Sequence, residues 1–147
     1  MKKLPLIACV LLLIGCGPSR PAHIIPYTTI KEDALQFPPG WYRKIIVIDP
    51  QYSNETSMKY LGQTLAYEYK DKENFQIWIY DDEKAANMLG AAVGETLNEK
   101  DSAYHDLHQR GWYYYPHDYK IALEGSRGTM EQIDNRRVFE SMTSSAG

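Results

Sequence analysis

The chain has 147 residues, of which 44% are hydrophobic and 24% charged, and its formal net charge is −3. This length fits one domain plus tails, and a domain of about 100–150 residues can bury a core without disulfides or metals. The acidic balance argues against nucleic acid as a partner, because such binding depends on neutralising phosphates with lysine and arginine.

The first 15 residues have the order of a secretory signal peptide. Lys2 and Lys3 form a basic start, residues 4–14 are almost wholly apolar, and small residues follow them. The apolar run is well short of the roughly 20 residues that span a bilayer as a helix. We therefore expect the chain to be exported and this signal segment to be removed.

The signal ends in Leu13-Ile14-Gly15-Cys16, which resembles the lipobox of bacterial lipoproteins. The resemblance implies cleavage before Cys16, lipid on that cysteine and a mature chain anchored to the membrane of the cell envelope. Gly17 stands where an aspartate would favour the inner membrane, so the same resemblance favours the periplasmic face of the outer membrane in a Gram-negative cell. The alternative is an ordinary signal peptide that leaves Cys16 as a free thiol.

Processing would change the cysteine count and the charge. Cys9 leaves with the signal and Cys16 carries lipid, so no disulfide can form within one mature chain. Removal of Lys2 and Lys3 lowers the basic residues from 16 to 14 against 19 acidic ones, a net charge of −5. Beyond the covalent lipid, the sequence predicts no cofactor.

Residues 16–39 contain five prolines and predict an extended tether after the lipidated cysteine. Within it, residues 24–30 could add a short edge strand to the sheet. We place a single globular domain at residues 40–135. Residues 136–147 lack apolar periodicity and predict a disordered tail.

A strand–helix–strand unit opens the predicted domain. Residues 43–49 include four consecutive apolar residues, which is typical of a strand buried on both faces. Apolar residues at helical spacing predict a helix over 54–70 with one buried face. Residues 75–80 alternate as a second strand. This order predicts a crossover between two parallel strands.

The rest of the domain predicts a helical segment and a hairpin. One helix starts near Asp82, and another covers residues 98–109 with Gly111 as its stop. Strands over 119–124 and 129–133 flank a turn and predict a C-terminal β-hairpin. The fold class is therefore α+β, or small α/β, with these elements on a single sheet.

Three of the four histidines, His105, His108 and His117, fall within thirteen residues. On a helix the first two share a face, and a third imidazole from the next loop could complete a zinc site with an open position. The alternative, which we favour, is a solvated polar helix face, because no zinc-enzyme pattern with a glutamate base occurs.

Aspartates follow both predicted parallel strands, at Asp49, Asp81 and Asp82. Open α/β sheets bind ligands at the carboxyl ends of parallel strands, and carboxylates there could hold magnesium or calcium. Aspartates in these positions also cap the helices that follow. We prefer the capping interpretation, because it needs no ligand.

Residues 112–116 read Trp-Tyr-Tyr-Tyr-Pro. Such a run cannot all point into one core, and exposed aromatic rings stack on sugars or anchor a protein interface. We therefore take Trp112, Tyr113 and Tyr115 as candidate binding residues. In the alternative, alternate rings of the run pack under the sheet.

The sequence contains no nucleophile elbow and no phosphate-binding glycine loop, so it predicts no catalytic residue. It favours a non-catalytic binding or accessory module of the cell envelope, anchored to the membrane, with an envelope protein or a glycan as partner. The alternative is a small metal-dependent, hydrolase-like enzyme that uses the histidine or the aspartate set.

Overall fold

The computed structural model describes residues 20–36, 39–91, 97–115, 118–125 and 131–133. In these residues the chain forms one sheet of six strands with three helices. The elements are β1 Tyr27–Ala34, β2 Tyr42–Ile48, α1 Glu55–Glu68, β3 Phe75–Tyr80, α2 Glu83–Ala91, α3 Glu99–His108, β4 Gln109–Tyr115, β5 Asp118–Ile121 and β6 Glu131–Ile133. None of these helices is both long and apolar enough to cross a membrane.

The six described strands lie side by side in the order in which they occur in the chain. β2 and β3 are parallel and are connected through α1, whereas every other described pair of neighbours is antiparallel. The sheet is therefore mixed, and the α+β fold with a crossover unit, a helical segment and a β5–β6 hairpin is confirmed.

Helix α1 forms where its sequence supplies both a cap and an apolar stripe. The side chain of Asn54 accepts a hydrogen bond from the Ser57 amide, which satisfies one of the free donors at the start of the helix. Met58, Leu61 and Leu65 recur at helical spacing and are fully buried. The helix predicted over 54–70 and its buried face are thus confirmed.

The helices α1 and α2 cover opposite faces of the sheet, which we call the α1 face and the α2 face. On the α1 face, the helix packs on a core that includes Ile46 and Ile77. On the α2 face, Ala85 packs against Ile45 and Tyr80. Helix α2 packs against α3 and, among the strands, contacts chiefly β1, β2 and β3, whereas α1 approaches β4 and β5.

The sheet begins earlier in the chain than the sequence indicated. β1 lies inside the predicted 16–39 tether and pairs with β2 along its length. Arg43 of β2 donates two hydrogen bonds to Asp33 of β1, at 3.1 and 2.8 Å, and these lower the pKa of Asp33. The domain start predicted at residue 40 is therefore too late. The edge strand considered for residues 24–30 is present, and it extends to Ala34.

Gly111 lies inside β4, so the prediction that it stops the preceding helix is wrong. Helix α3 ends at His108, and β4 begins at Gln109 without an intervening loop. A Cβ atom on Gly111 would lie 2.2 Å from the carbonyl oxygen of Lys120. The glycine is needed for the close approach of β5. The predicted tail at 136–147, the signal peptide and Cys16 lie outside the described residues.

Tyr119 connects β5 to α1 across the core of the α1 face. Its side chain is fully buried, and its hydroxyl donates a hydrogen bond to the carbonyl oxygen of Met58. A Cβ atom on Gly62 of α1 would lie 2.5 Å from the ring, so helix and strand meet closely here. Burial raises the pKa of the Tyr119 hydroxyl well above its usual value.

The raised pKa of Tyr119 predicts a loss of stability in alkaline solution. Above pH 10 the unfolded chain releases the Tyr119 proton while the folded chain keeps it, so the free energy of unfolding falls by about 1.4 kcal/mol per pH unit for this group. We expect Tyr119→Phe to be about 1 kcal/mol less stable at pH 7 because it loses a hydrogen bond. Its stability should fall less steeply above pH 10.

Urea unfolding between pH 7 and pH 12 measures both effects. The control is Tyr42→Phe, because Tyr42 is 47% exposed and its hydroxyl is not buried in the core. Parallel stability curves for the wild type and Tyr119→Phe above pH 10 would contradict the prediction.

Candidate functional site

The histidines of α3 hold this helix against the end of β3. The Nε2 atom of His105 lies 2.8 Å from the hydroxyl of Tyr80, and its Nδ1 atom lies 3.2 Å from Asp106. The Nδ1 atom of His108 lies 2.8 Å from Oδ1 of Asp81. Although α3 has no fully buried residue, the contacts of His105 with Tyr80 and of His108 with Asp81 attach it to the end of β3.

The predicted zinc site is only partly within the described residues. His105 and His108 do share the side of α3 that meets β3, but His117 lies outside the part of the chain that the structure describes. Within that part, no group of three or more histidine, cysteine, aspartate or glutamate residues could hold a metal ion. A zinc site that includes His117 stays a prediction.

Two of the three candidate aspartates are caps. Asp49 accepts a hydrogen bond from the Gln51 amide at the start of a short 3₁₀ turn, and Asp82 accepts one from the Ala85 amide at the start of α2. Burial is the largest influence on the pKa of Asp82 and acts to raise it, but the hydrogen bonds from the Ala85 amide and the Tyr104 hydroxyl, with smaller contributions from His108 and the Lys84 amide, together outweigh it and lower the pKa. The capping interpretation is confirmed for these two residues.

Asp81 has a different environment, because its buried carboxylate is bonded to three partly buried polar side chains. Its carboxylate accepts hydrogen bonds from Nε of Arg110 at 2.6 Å and from the Ser53 hydroxyl at 3.2 Å, and it pairs with His108. Arg110 in turn donates to the carbonyl oxygen of Leu123. These contacts, which we call the Asp81 network, connect β3 to the junction of α3 and β4 and to the chain after β5.

The Asp81 network lies at the carboxyl ends of the parallel strands β2 and β3, whose following helices pack on opposite faces. Ligands commonly bind at such a position in open α/β sheets. Here, both carboxylate oxygens of Asp81 are already bonded within the protein. The buried carboxylate of Asp81 therefore has structural partners within the protein that account for its position.

The side chains of the aromatic run in β4 point alternately to the two faces of the sheet. Tyr113 is 1% exposed and belongs to the core of the α1 face, so its prediction as a binding residue is wrong. Trp112 and Tyr114 point to the α2 face and are half-buried. Tyr115 pairs with Phe75 through the backbone, and its side chain is outside the described part of the chain.

All three tryptophans of the chain lie on the α2 face and form one surface. Trp112 lies opposite Trp78 in the β3–β4 pair, with ring centroids 5.9 Å apart. The ring of Trp41 lies 4.8 Å from that of Tyr114, and the ammonium of Lys120 lies 5.4 Å from the centre of the Trp112 ring. All five residues are half-buried. We call Trp41, Trp78, Trp112, Tyr114 and Lys120 the aromatic surface.

The aromatic surface lies beyond the strands on which α2 chiefly packs. Trp78 is at the boundary, because it also contacts the α2-side core, and Trp112 and Lys120 continue outward on β4 and β5. Trp41, Trp78 and Lys120 were not predicted from the sequence, and Tyr114 was part of the predicted aromatic run without being chosen as a binding residue. The alternation of β3 could have placed Trp78 on the face opposite Ile77, but only the strand register shows which rings meet.

We compared the chain with models of protein families, with curated proteins and with solved structures, and no match was found. Neither the aromatic surface nor the Asp81 network is therefore assigned a role by similarity.

The Asp81 network predicts a strong effect of neutralising one carboxylate. Asp81→Asn should reduce the free energy of unfolding by about 3 kcal/mol, because it leaves the shielded guanidinium of Arg110 without its ionic partner. The matched control is Asp49→Asn, which keeps a side chain that caps equally well and should change stability by less than about 0.5 kcal/mol. Chemical denaturation measures both, and equal losses in the two variants would refute the assignment.

Proposed function

We propose that the protein is a lipid-anchored module of the bacterial cell envelope that binds a partner through the aromatic surface. The lipobox-like sequence Leu13-Ile14-Gly15-Cys16 supports the anchor. The observation that supports binding is the placement of all three tryptophans on the α2 face, each half-buried. No catalytic step is assigned to this surface.

Partly exposed tryptophan rings leave apolar area in contact with water, which is unfavourable. A partner that covers the rings would remove this area from water. Large aromatic side chains gain most from leaving water, and tryptophan and tyrosine are enriched among the residues that carry binding energy. In this surface the rings already contact one another in pairs, Trp41 with Tyr114 and Trp78 with Trp112. Preordered rings lose little conformational freedom on binding, which favours affinity.

The anchor is tested by changing the cysteine that would carry the lipid. In the native host, Cys16→Ser should give a protein without the mass increment of lipid, because serine has no thiol to be acylated. Mass spectrometry of the purified protein, with the wild type as the reference, measures this. Recovery of a lipid increment on the Cys16→Ser variant would disprove the anchor.

Binding is tested with the detergent-solubilised, full-length protein as bait in extracts of the native cell envelope. Trp112→Ala should capture its partner at least about tenfold less, because truncating an aromatic hot spot at the centre of an interface costs about 2 kcal/mol or more. The matched control is Tyr67→Ala on α1, since Tyr67 is also half-buried and also has a lysine ammonium near its ring, that of Lys70 at 5.0 Å.

Circular dichroism would establish that both variants keep their fold. Capture that is unchanged in Trp112→Ala, or that is equally reduced in Tyr67→Ala, would refute binding through the aromatic surface.

A further inference from the structure

We propose that the ligand of the aromatic surface is a glycan strand that carries carboxylate groups, with the sugar rings on the tryptophans and a carboxylate on Lys120. This inference rests on the proposed function and names the class of partner.

The aromatic surface is small for a folded protein partner. A large aromatic side chain covers about 150–250 Å², so four half-buried rings together expose roughly 400 Å² at most. A stable interface between two proteins buries about 800 Å² on each partner. Among the side chains that the structure describes, the rings supply about half of that area, which suits a narrow ligand such as a single polymer strand.

The arrangement of the rings suits a chain of sugar residues. Trp112 and Tyr114 lie two residues apart on β4, a separation of about 7 Å, and each is paired with a further ring, Trp78 and Trp41 respectively. Two neighbouring aromatic pairs can contact successive units of a polymer. Sugars present apolar C–H faces for such contacts, and their hydroxyls can bond to the adjacent amide side chain of Gln76, which is half-buried opposite Tyr114.

Lys120 adds a preference for negative charge. Its ammonium is held near the Trp112 ring, and no carboxylate among the described side chains lies within ion-pair distance of it. The net charge is −3 for the whole chain and −5 after removal of Lys2 and Lys3 with the signal peptide, and both values repel anions at long range. A preference for a carboxylated ligand must therefore come from this local cation.

The experiment compares two forms of soluble cell-wall glycan strands from which the peptides have been removed. In the first form the strands carry free lactyl carboxylates, and in the second these carboxylates have been converted to amides. Tryptophan fluorescence of the full-length protein reports binding directly, because every tryptophan of the chain lies in the aromatic surface. The variants are Trp112→Ala and Lys120→Gln. Lys70→Gln is the matched control, since the ammonium of Lys70 also lies near an aromatic ring, that of Tyr67 on α1.

We expect the wild type to bind the carboxylated strands about three- to fivefold more tightly than the amidated ones, which is the size of a partly exposed ion pair. Lys120→Gln should bind both forms equally, and Lys70→Gln should keep the preference. Trp112→Ala should bind both forms at least about tenfold more weakly.

Three outcomes overturn the inference and separate it from the proposed function. Equal binding of both forms by the wild type, lost in Trp112→Ala, would identify a neutral glycan ligand instead. Failure of both forms to bind, with Trp112-dependent capture from the envelope extract intact, would point to a protein or peptide partner and leave the proposed function standing. Failure of both experiments would reject the proposed function as well.

Discussion

The burial of β2 and β3 on both faces is the constraint from which the rest of the structure follows. Ile45 and Ile46 are adjacent in β2 and point to opposite sides, and both are fully buried, so each face needs a covering helix. Helix α1 covers one face and α2 the other, but among the strands α2 contacts chiefly β1, β2 and β3. One consequence is that β4 and β5 present aromatic residues on the α2 face away from the helix.

The Asp81 network influences the aromatic surface through the register of β4. Because α3 passes directly into β4, the contacts of His108 and Arg110 with Asp81 fix the position at which this strand begins. A shift of one residue would exchange the faces of the whole strand, moving Tyr113 out of the core and Trp112 into it. The Asp81 network therefore determines which side chains of β4 belong to the aromatic surface, because it fixes the position at which the strand begins.

The parts of the fold with clear periodicity were predictable from sequence. Helix α1 has an apolar stripe, β2 has a continuous apolar run, and their order with β3 implied a parallel crossover. β1 was harder to assign because an edge strand has mostly polar side chains and few buried positions. β4 was missed because apolar residues stand at successive positions, which hides the alternation of the strand. Trp41 lies outside the strands, and only its contact with Tyr114 places it in the candidate site.

The position of β1 also determines how far the domain could stand from a membrane. Pro21 and Ile25 are buried, and the ring of His23 lies 4.7 Å from that of Tyr60, so the chain already packs on the domain before the strand begins. With the proposed lipid on Cys16, the four residues between Cys16 and Pro21 would be the whole spacer, about 18 Å at full extension. The domain would then work close to the lipid headgroups, within reach only of ligands that approach the membrane.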